Sequence, residues 1–165
     1  FIIEQNKDFY STTNIPLFLD AISSKNIAKK RENISLIHSC DFPYFSRDCS
    51  FSVFQGFTVT YVALQLAYYM GFTKVGIIGM DHNFNIKGLP NALIKSDGSD
   101  KGHFDSNYFS EGQAWQLPDL KASEHYYNIA NLCYEESGRK IFNASVSTDL
   151  DIFTKITLKE FIRNE

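Results

Sequence analysis

The sequence predicts an α/β fold with a mainly parallel sheet, helices on both of its faces and a long loop after a central strand. Two observations indicate this fold. An apolar helical stripe beginning near Thr58 ends at Gly71 and runs into an apolar strand at 74–79. A second helix–strand pair occupies 118–145, and such alternation is typical of parallel sheets. With 165 residues, the chain fits one domain with length for a sizeable core.

The first third of the chain predicts one helix and two strands. Residues 15–26 have loosely periodic apolar positions and predict a helix, whose charged, solvated end continues over 25–33. Residues 34–38 have the length and β-branched content of a short strand. Residues 50–54 alternate in polarity and therefore predict a half-buried strand.

The next helix has the strongest periodicity in the sequence. Thr58 or Thr60 can act as its N-cap, and Gly71 is a C-terminal stop. The apolar residues that share one face of this helix are Val59, Val62, Ala63, Leu66, Ala67 and Met70. The strand at 74–79 does not alternate in polarity, so we expect it to be buried on both faces.

The second helix is expected to start with Pro118 in its first turn, where Asp119 lies favourably beside the positive helix end. Gly138 stops it, and a strand at 140–145 and a short helix at 157–163 follow. Its predicted inner stripe consists of Leu120, Ala122, Tyr126, Ile129, Ala130 and Cys133.

Residues 82–117 predict a long loop, because they show no sustained periodicity. Ordered loops of this length in a compact domain are usually functional. This loop starts at the carboxyl end of a strand, where open α/β sheets bind ligands. Several aromatic residues would be costly to leave in water, so we expect the loop to pack: Phe84, Phe104, Tyr108, Phe109 and Trp115.

Composition excludes several classes of protein. A net charge of −3 does not favour nucleic acid or an anionic membrane as a partner. No apolar run is long enough to span a bilayer. Cys40, Cys49 and Cys133 form no CxxC pair and predict reduced thiols in a cytoplasmic protein.

The residues at the start of the long loop could carry chemistry. Asp81 follows Gly79 at a strand terminus, where its carboxylate could orient a ribose or sugar hydroxyl or simply cap the next turn. His82 and His103 are the candidate general bases, because imidazole titrates near neutral pH. Trp115 and Tyr108 could stack on a nucleobase or hold the loop against the body. Dinucleotide, P-loop, zinc and hydrolase-elbow motifs do not occur in the sequence.

Several segments in order resemble the MptE-like domain family. They are GFTVTYVALQLAYYMGFTKVGIIGMDHNF, HFDSNYF, GQAWQLPDLKASEHYY and GRKIFNAS, and the resemblance covers roughly residues 50–150. The family is named for archaeal 6-hydroxymethylpterin diphosphokinase. It also contains the core of motility-associated-factor glycosyltransferases, which place nonulosonic acids on flagellin.

The chain is more distantly similar to bacterial lipooligosaccharide sialyltransferases, whose Rossmann-like fold binds a CMP-sugar. That likeness implies a donor site at Thr58 and Thr60 and at the strand end with Gly79 and Asp81. It implies His103 as the nearest match to the catalytic histidine, and no obligatory metal or cofactor. The remaining residues expected to bind substrate or nucleotide are Asn83, Asp105, Tyr108, Trp115 and Asn143.

Two departures from those families bear on these expectations. The tyrosines that follow the strand-end Asp in the sialyltransferases are replaced by His82, Asn83 and Phe84. Residues 1–20 contain no match to the families' first nucleotide-binding loop. We therefore expect the chain to be the C-terminal part of a longer MptE-like catalytic domain, inactive as an isolated piece.

Three functions follow as hypotheses. The first is a glycosyltransferase that moves a sugar, a nonulosonic or sialic acid, from a nucleotide donor to a surface-glycan or protein acceptor. The second is diphosphate transfer from Mg-ATP, with Asp81 and Asp105 binding the metal and Trp115 or Tyr108 stacking on the pterin. The third is a catalytically silent binding module. The sugar, the acceptor and the oligomeric state stay open.

Overall fold

The computed structural model describes residues 2–25, 31–83, 88–96 and 112–163, and these ranges form an α/β structure. The helices in them are α1 (Ile2–Gln5), α2 (Lys7–Thr12), α3 (Val59–Tyr69), α4 (Leu120–Glu136) and α5 (Leu158–Arg163). The strands are β1 (Leu17–Asp20), β2 (Ile34–Ile37), β3 (Ser39–Cys40), β4 (Val53–Phe54), β5 (Lys74–Ile77), β6 (Leu93–Lys95), β7 (Ala114–Gln116), β8 (Lys140–Asn143) and β9 (Thr154–Lys155).

Small parallel sheets dominate the strand pairing, as the sequence predicts. The largest has the order β5-β8-β9, with both pairs parallel and Val75 in register with Ile141. β1 pairs with β2 and β3 with β4, also in parallel. β6 and β7 form an antiparallel ribbon in which Ile94 lies opposite Trp115. Within the described ranges, no helix is both long and apolar enough to cross a membrane.

Helices pack on both faces of the β5-β8-β9 sheet. Val75 and Ile77 pack against the core cluster that α3 and α4 also supply. Successive side chains of a strand point to opposite faces, and Gly76 lies so close to the Phe161 ring of α5 that an added Cβ would be 2.9 Å from it. Phe161 also contacts Phe142 of β8, with ring centroids 6.0 Å apart.

The core between α3 and α4 is rich in aromatic rings. Phe45 makes edge-to-face contacts with Tyr61, Tyr68 and Tyr134, at centroid distances of 5.8, 5.4 and 6.0 Å. The buried hydroxyls have partners, since that of Tyr134 donates to the Leu64 carbonyl at 2.8 Å. Part of the chain's high aromatic content therefore lies in a core where the rings bury apolar surface and the tyrosine hydroxyls are hydrogen-bonded.

The helix predicted at 15–26 is wrong, because Leu17–Asp20 form strand β1 and 21–25 form turns. Leu19 is buried while Phe18 is exposed, so the local pattern follows the two-residue period of a strand. The Asp20 carboxylate then accepts from the backbone N–H groups of Ile22 and Ser23, at 3.2 and 2.8 Å. This turn ends β1 at Asp20, and residues 21–25 do not form a helix.

Helix α3 has its predicted ends but buries a different face. Thr58 is the N-cap and Gly71 follows the end with φ 89°. The buried side chains are Tyr61, Leu64, Gln65 and Tyr68. Val59 is instead 82% exposed and Met70 51% exposed, so the predicted inner stripe is wrong. Both sets have helical spacing. The polar atoms of the buried set have partners in the core, since the Tyr61 hydroxyl donates to the Tyr44 carbonyl at 3.1 Å and Gln65 Oε1 accepts from the Ser46 N–H at 3.0 Å.

Three smaller predictions also need correction. Helix α4 begins at Leu120 with Asp119 as its N-cap, so Pro118 precedes the helix. Its fully buried residues are Ser123, Tyr127, Ala130 and Tyr134, of which the predicted stripe contained only Ala130. Three other residues of that stripe are partly buried and pack against the same core, namely Tyr126, Ile129 and Cys133. β5 ends at Ile77, and Ile78 is 62% exposed, so 74–79 is not buried throughout.

The loop predicted at 82–117 contains regular structure, since β6 and β7 pair as an antiparallel ribbon within it. These strands are three residues each, which is too short to produce visible sequence periodicity. The strands expected at 34–38 and 140–145 and the helix at 157–163 are confirmed with bounds close to those predicted. The strand expected at 50–54 is reduced to Val53–Phe54.

Candidate functional site

A cleft of about 280 Å³ opens at the carboxyl end of β5, and we refer to it as the strand-end cleft. Three chain segments form its walls: the turn after β5, the start of α3 and the start of α4. The residues that line it are Phe57, Thr58, Thr60, Ile77, Ile78, Gly79, Met80, Asp81, His82, Asn83, Pro118, Leu120, Ser123 and Tyr127.

The wall after β5 is held by hydrogen bonds with the segment that follows β8. The Met80 N–H donates to the Ser145 hydroxyl at 2.9 Å, and the Asp149 N–H donates to the Asp81 carbonyl at 2.9 Å. Gly79 has φ 69° and His82 has φ 54°. A left-handed histidine is uncommon and is found most often where surrounding contacts enforce it, including functional sites.

The second wall is the N-terminus of α3. The Thr58 hydroxyl accepts from the Thr60 N–H at 3.3 Å and caps the helix. It also lies 3.1 Å from the Tyr127 hydroxyl of α4. This hydrogen bond joins the N-cap of α3 to the second turn of α4.

The third wall is the N-terminus of α4. Its cap residue Asp119 accepts from the Ala122 N–H at 2.9 Å. Ser123 and Tyr127, one turn apart on the buried face, both line the cleft. The strand-end cleft is therefore bordered by two helix N-termini, whose backbone N–H groups create a positive field suited to anions.

His82, which lines the cleft, pairs with the carboxylate of Glu124. Its Nε2 lies 2.9 Å from Glu124 Oε1, and its side chain is 7% exposed whereas that of Glu124 is 47% exposed. The imidazole also contacts the Tyr127 ring, with centroids 6.2 Å apart. With Nε2 bonded to the carboxylate, Nδ1 is the nitrogen left to exchange a proton, and the carboxylate fixes the orientation of the ring.

The charges around the cleft are few. Among the described residues, the acidic and imidazole side chains that line it are Asp81 and His82, and no lysine or arginine of the described ranges lines it. Anion binding there would thus depend on backbone N–H groups and hydroxyls. No three His, Cys, Asp or Glu side chains of the described residues group as metal ligands.

Six residues expected from the sequence to form a site come together in this cleft: Thr58, Thr60, Gly79, Asp81, His82 and Asn83. Trp115 and Asn143 are placed elsewhere. Trp115 is 9% exposed in β7. Asn143 is 1% exposed and its amide donates to Thr148 Oγ1 at 3.2 Å, so it orders the turn after β8.

Three expected site residues, His103, Asp105 and Tyr108, lie outside the described residues, as do the loop aromatics Phe84, Phe104 and Phe109. Their expected roles therefore stay predictions.

Among the lining residues with polar or aromatic side chains, sequence reasoning missed Phe57, Ser123 and Tyr127. It also missed Glu124, which pairs with His82. Glu124 is 42 positions from His82 along the chain, and no local pattern indicates their pairing. Ser123 and Tyr127 have helical spacing, which could have shown that they share one face.

No family model, no curated protein and no solved structure matches this chain. The resemblance to the MptE-like family stays a prediction from the sequence.

Proposed function

We propose that the strand-end cleft binds a nucleotide-activated sugar and that the chain is a glycosyltransferase domain of Rossmann-like architecture, with a CMP-linked nonulosonic acid as donor. The observation that supports this best is the convergence of Thr58, Asp81 and His82 in one cleft at a strand's carboxyl end. In α/β proteins this edge of the sheet is where nucleotide ligands bind. The donor class comes from the sequence resemblance.

In this proposal the phosphate of the donor lies at the first turns of α3 and α4. Both turns border the cleft, and Thr58, Thr60 and Ser123 add hydroxyls to their backbone N–H groups. As the bond between the sugar and the phosphate breaks, negative charge grows on the leaving nucleotide. Helix N-termini stabilise such charge without a positively charged side chain.

In this proposal Asp81 orients the donor and His82 is the general base. The Asp81 carboxylate accepts hydrogen bonds from hydroxyls of the donor ribose or sugar and orients them. His82 Nδ1 takes the proton of the acceptor hydroxyl, whose oxygen forms a bond to the anomeric carbon while the CMP oxygen leaves, with inversion. Glu124 orients the imidazole through Nε2.

Calorimetry of the full-length protein tests the donor class. We expect CMP and CTP to bind, and we expect Asp81→Asn to weaken CMP binding by about 10-fold, the effect of a lost charge-assisted hydrogen bond. Asp41→Asn is the matched control, since Asp41 is an exposed aspartate outside the cleft lining. Tight, metal-dependent ATP binding with no response to CMP would refute the proposal and favour diphosphate transfer.

Measuring turnover tests the proposed role of His82 as general base. With a CMP-sugar donor and the full-length protein, His82→Gln should lower kcat by roughly 10²–10⁴-fold, the range for loss of a general base. Glu124→Gln should lower kcat less and leave the KM for the donor unchanged. A large fall with His103→Gln but none with His82→Gln would transfer the role to His103. Absence of turnover with every nucleotide donor would favour the silent binding module.

A further inference from the structure

Phe57 presents an aromatic ring at the rim of the strand-end cleft, one residue before the α3 N-cap. The residue is 50% exposed, unlike the aromatic residues that form the core. Its ring stacks on that of Tyr126, with centroids 5.9 Å apart and planes 20° from parallel. Phe57 lines the cleft and is half-exposed, so the Tyr126 stack does not cover this residue completely.

Tyr126 is itself held firmly in place. Its ring lies 4.9 Å from that of Phe54 and 5.4 Å from that of Tyr61, which is completely buried. The stack of Phe57 on Tyr126 therefore connects an exposed ring to the aromatic core. A ring supported in this way keeps its orientation without a bound ligand, which lowers the entropic cost of stacking on it.

The backbone that presents Phe57 is unusual. Gly56 and Phe57 are both left-handed, with φ 58° and 62°. Gly56 cannot be another residue without rearrangement, since an added Cβ would lie 2.3 Å from a Tyr61 ring carbon. A bulky residue such as Phe in this region is a rare and costly conformation that usually reflects function or strong packing. The half exposure of Phe57 argues against packing as its main role.

We infer that Phe57, supported by Tyr126, is the platform on which the nucleobase of the donor stacks. This inference rests on the proposed function and adds to it the recognition of a base. Aromatic side chains bind nucleobases by face-to-face stacking. Phe57 is adjacent in sequence to Thr58 at the proposed phosphate end, so one short turn contacts both parts of a nucleotide. The cleft therefore distinguishes a nucleotide from a sugar phosphate that lacks a base.

Calorimetry of the full-length protein with CMP, AMP and ribose 5-phosphate tests this. Wild-type protein should bind CMP about 5- to 150-fold more tightly than ribose 5-phosphate, the range that stacking of one base contributes. Phe57→Ala should remove this difference and leave ribose 5-phosphate binding unchanged, whereas Phe57→Trp should keep it. Phe72→Ala is the matched control, because Phe72 is 53% exposed and lies at the far end of α3. We expect this variant to bind CMP as tightly as the wild-type protein does. Circular dichroism would show that each variant is folded.

The outcomes separate this inference from the proposed function. Equal binding of CMP and ribose 5-phosphate by wild-type protein, or an unchanged CMP preference in Phe57→Ala, would overturn the platform and leave the phosphate site standing. Binding of AMP but not CMP, lost in Phe57→Ala, would support the platform and refute the CMP donor. Failure of all three ligands to bind would refute both.

Discussion

Gln65 offers the sharpest test of how α3 is held, because its side chain is completely buried and makes four hydrogen bonds. Its Oε1 accepts from the N–H groups of Ser46 at 3.0 Å and Phe54 at 3.3 Å. Its Nε2 donates to the carbonyls of Phe54 at 2.8 Å and Tyr61 at 3.1 Å. The amide thus joins α3 to β4, the strand that leads into the Phe57 turn.

Gln65→Met keeps the length of the side chain and removes all four hydrogen bonds. The Tyr61 carbonyl keeps its helical partner, so three backbone groups are left without one. The buried Ser46 N–H incurs the full desolvation penalty of about 1–3 kcal/mol, and the two Phe54 groups, in a partly buried residue, about 1 kcal/mol each. We expect the free energy of unfolding to fall by about 3–5 kcal/mol, a large fraction of the stability of a typical domain.

Urea unfolding followed by circular dichroism measures this change. Gln55→Met is the matched control, because the exposed Gln55 amide makes a surface hydrogen bond to Ser39 at 3.1 Å. It should change the unfolding free energy by at most about 0.5 kcal/mol. If Gln65→Met stayed within about 1 kcal/mol of wild type, the freed backbone groups would have other partners and the argument would be wrong.

The remaining predictions concern pH. Burial raises the pKa of Tyr61 and of Tyr134, so the folded state retains these protons and the free energy of unfolding should fall as pH rises above about 10. Replacing both tyrosines with phenylalanine should reduce the alkaline decline of the unfolding free energy, measured by urea titrations at several pH values. If the slope of unfolding free energy against pH did not change, these two tyrosines would not be its cause. Desolvation alone would raise the pKa of Asp20, but hydrogen bonds from Ser23 and Ser39 together lower it to about 2. The stabilisation by the ionised Asp20 carboxylate should be present above about pH 4 and be lost as pH falls towards 2. Asp20→Asn should abolish this acid-dependent loss of unfolding free energy. If the variant lost as much unfolding free energy in acid as wild type does, the assignment of this effect to Asp20 would be wrong.

The parts of the fold that were predictable have their determinants close together in sequence. The N-cap at Thr58, the glycine stops at Gly71 and Gly138 and the apolar strand from residue 74 each depend on a few neighbouring residues. The Thr157 cap of α5 is of the same kind, since its hydroxyl and backbone N–H both pair with the Glu160 carboxylate. Local determinants of this type can be recognised in the sequence without knowing how the core packs.

The candidate site divides in the same way. Asp81 was predictable because it follows a recognisable strand, and the ends of parallel strands are where α/β sheets place ligands. Glu124 was not, because its contact with His82 exists only once α4 packs beside the turn after β5. The Phe57 platform was not predictable either, because the Phe57 ring stacks on that of Tyr126, which is in α4.

The sequence by itself determined where helices and strands begin and end over most of 58–80 and 119–163, because caps, glycine stops and apolar runs act within one or two turns. Only the tertiary structure decided which face of α3 is buried. Two stripes with helical spacing compete on that helix, and the one with Tyr61, Gln65 and Tyr68 is inside because its polar atoms find partners on segments distant in sequence. Tertiary packing also brought the starts of α3 and α4 to the end of β5, and that arrangement creates the strand-end cleft.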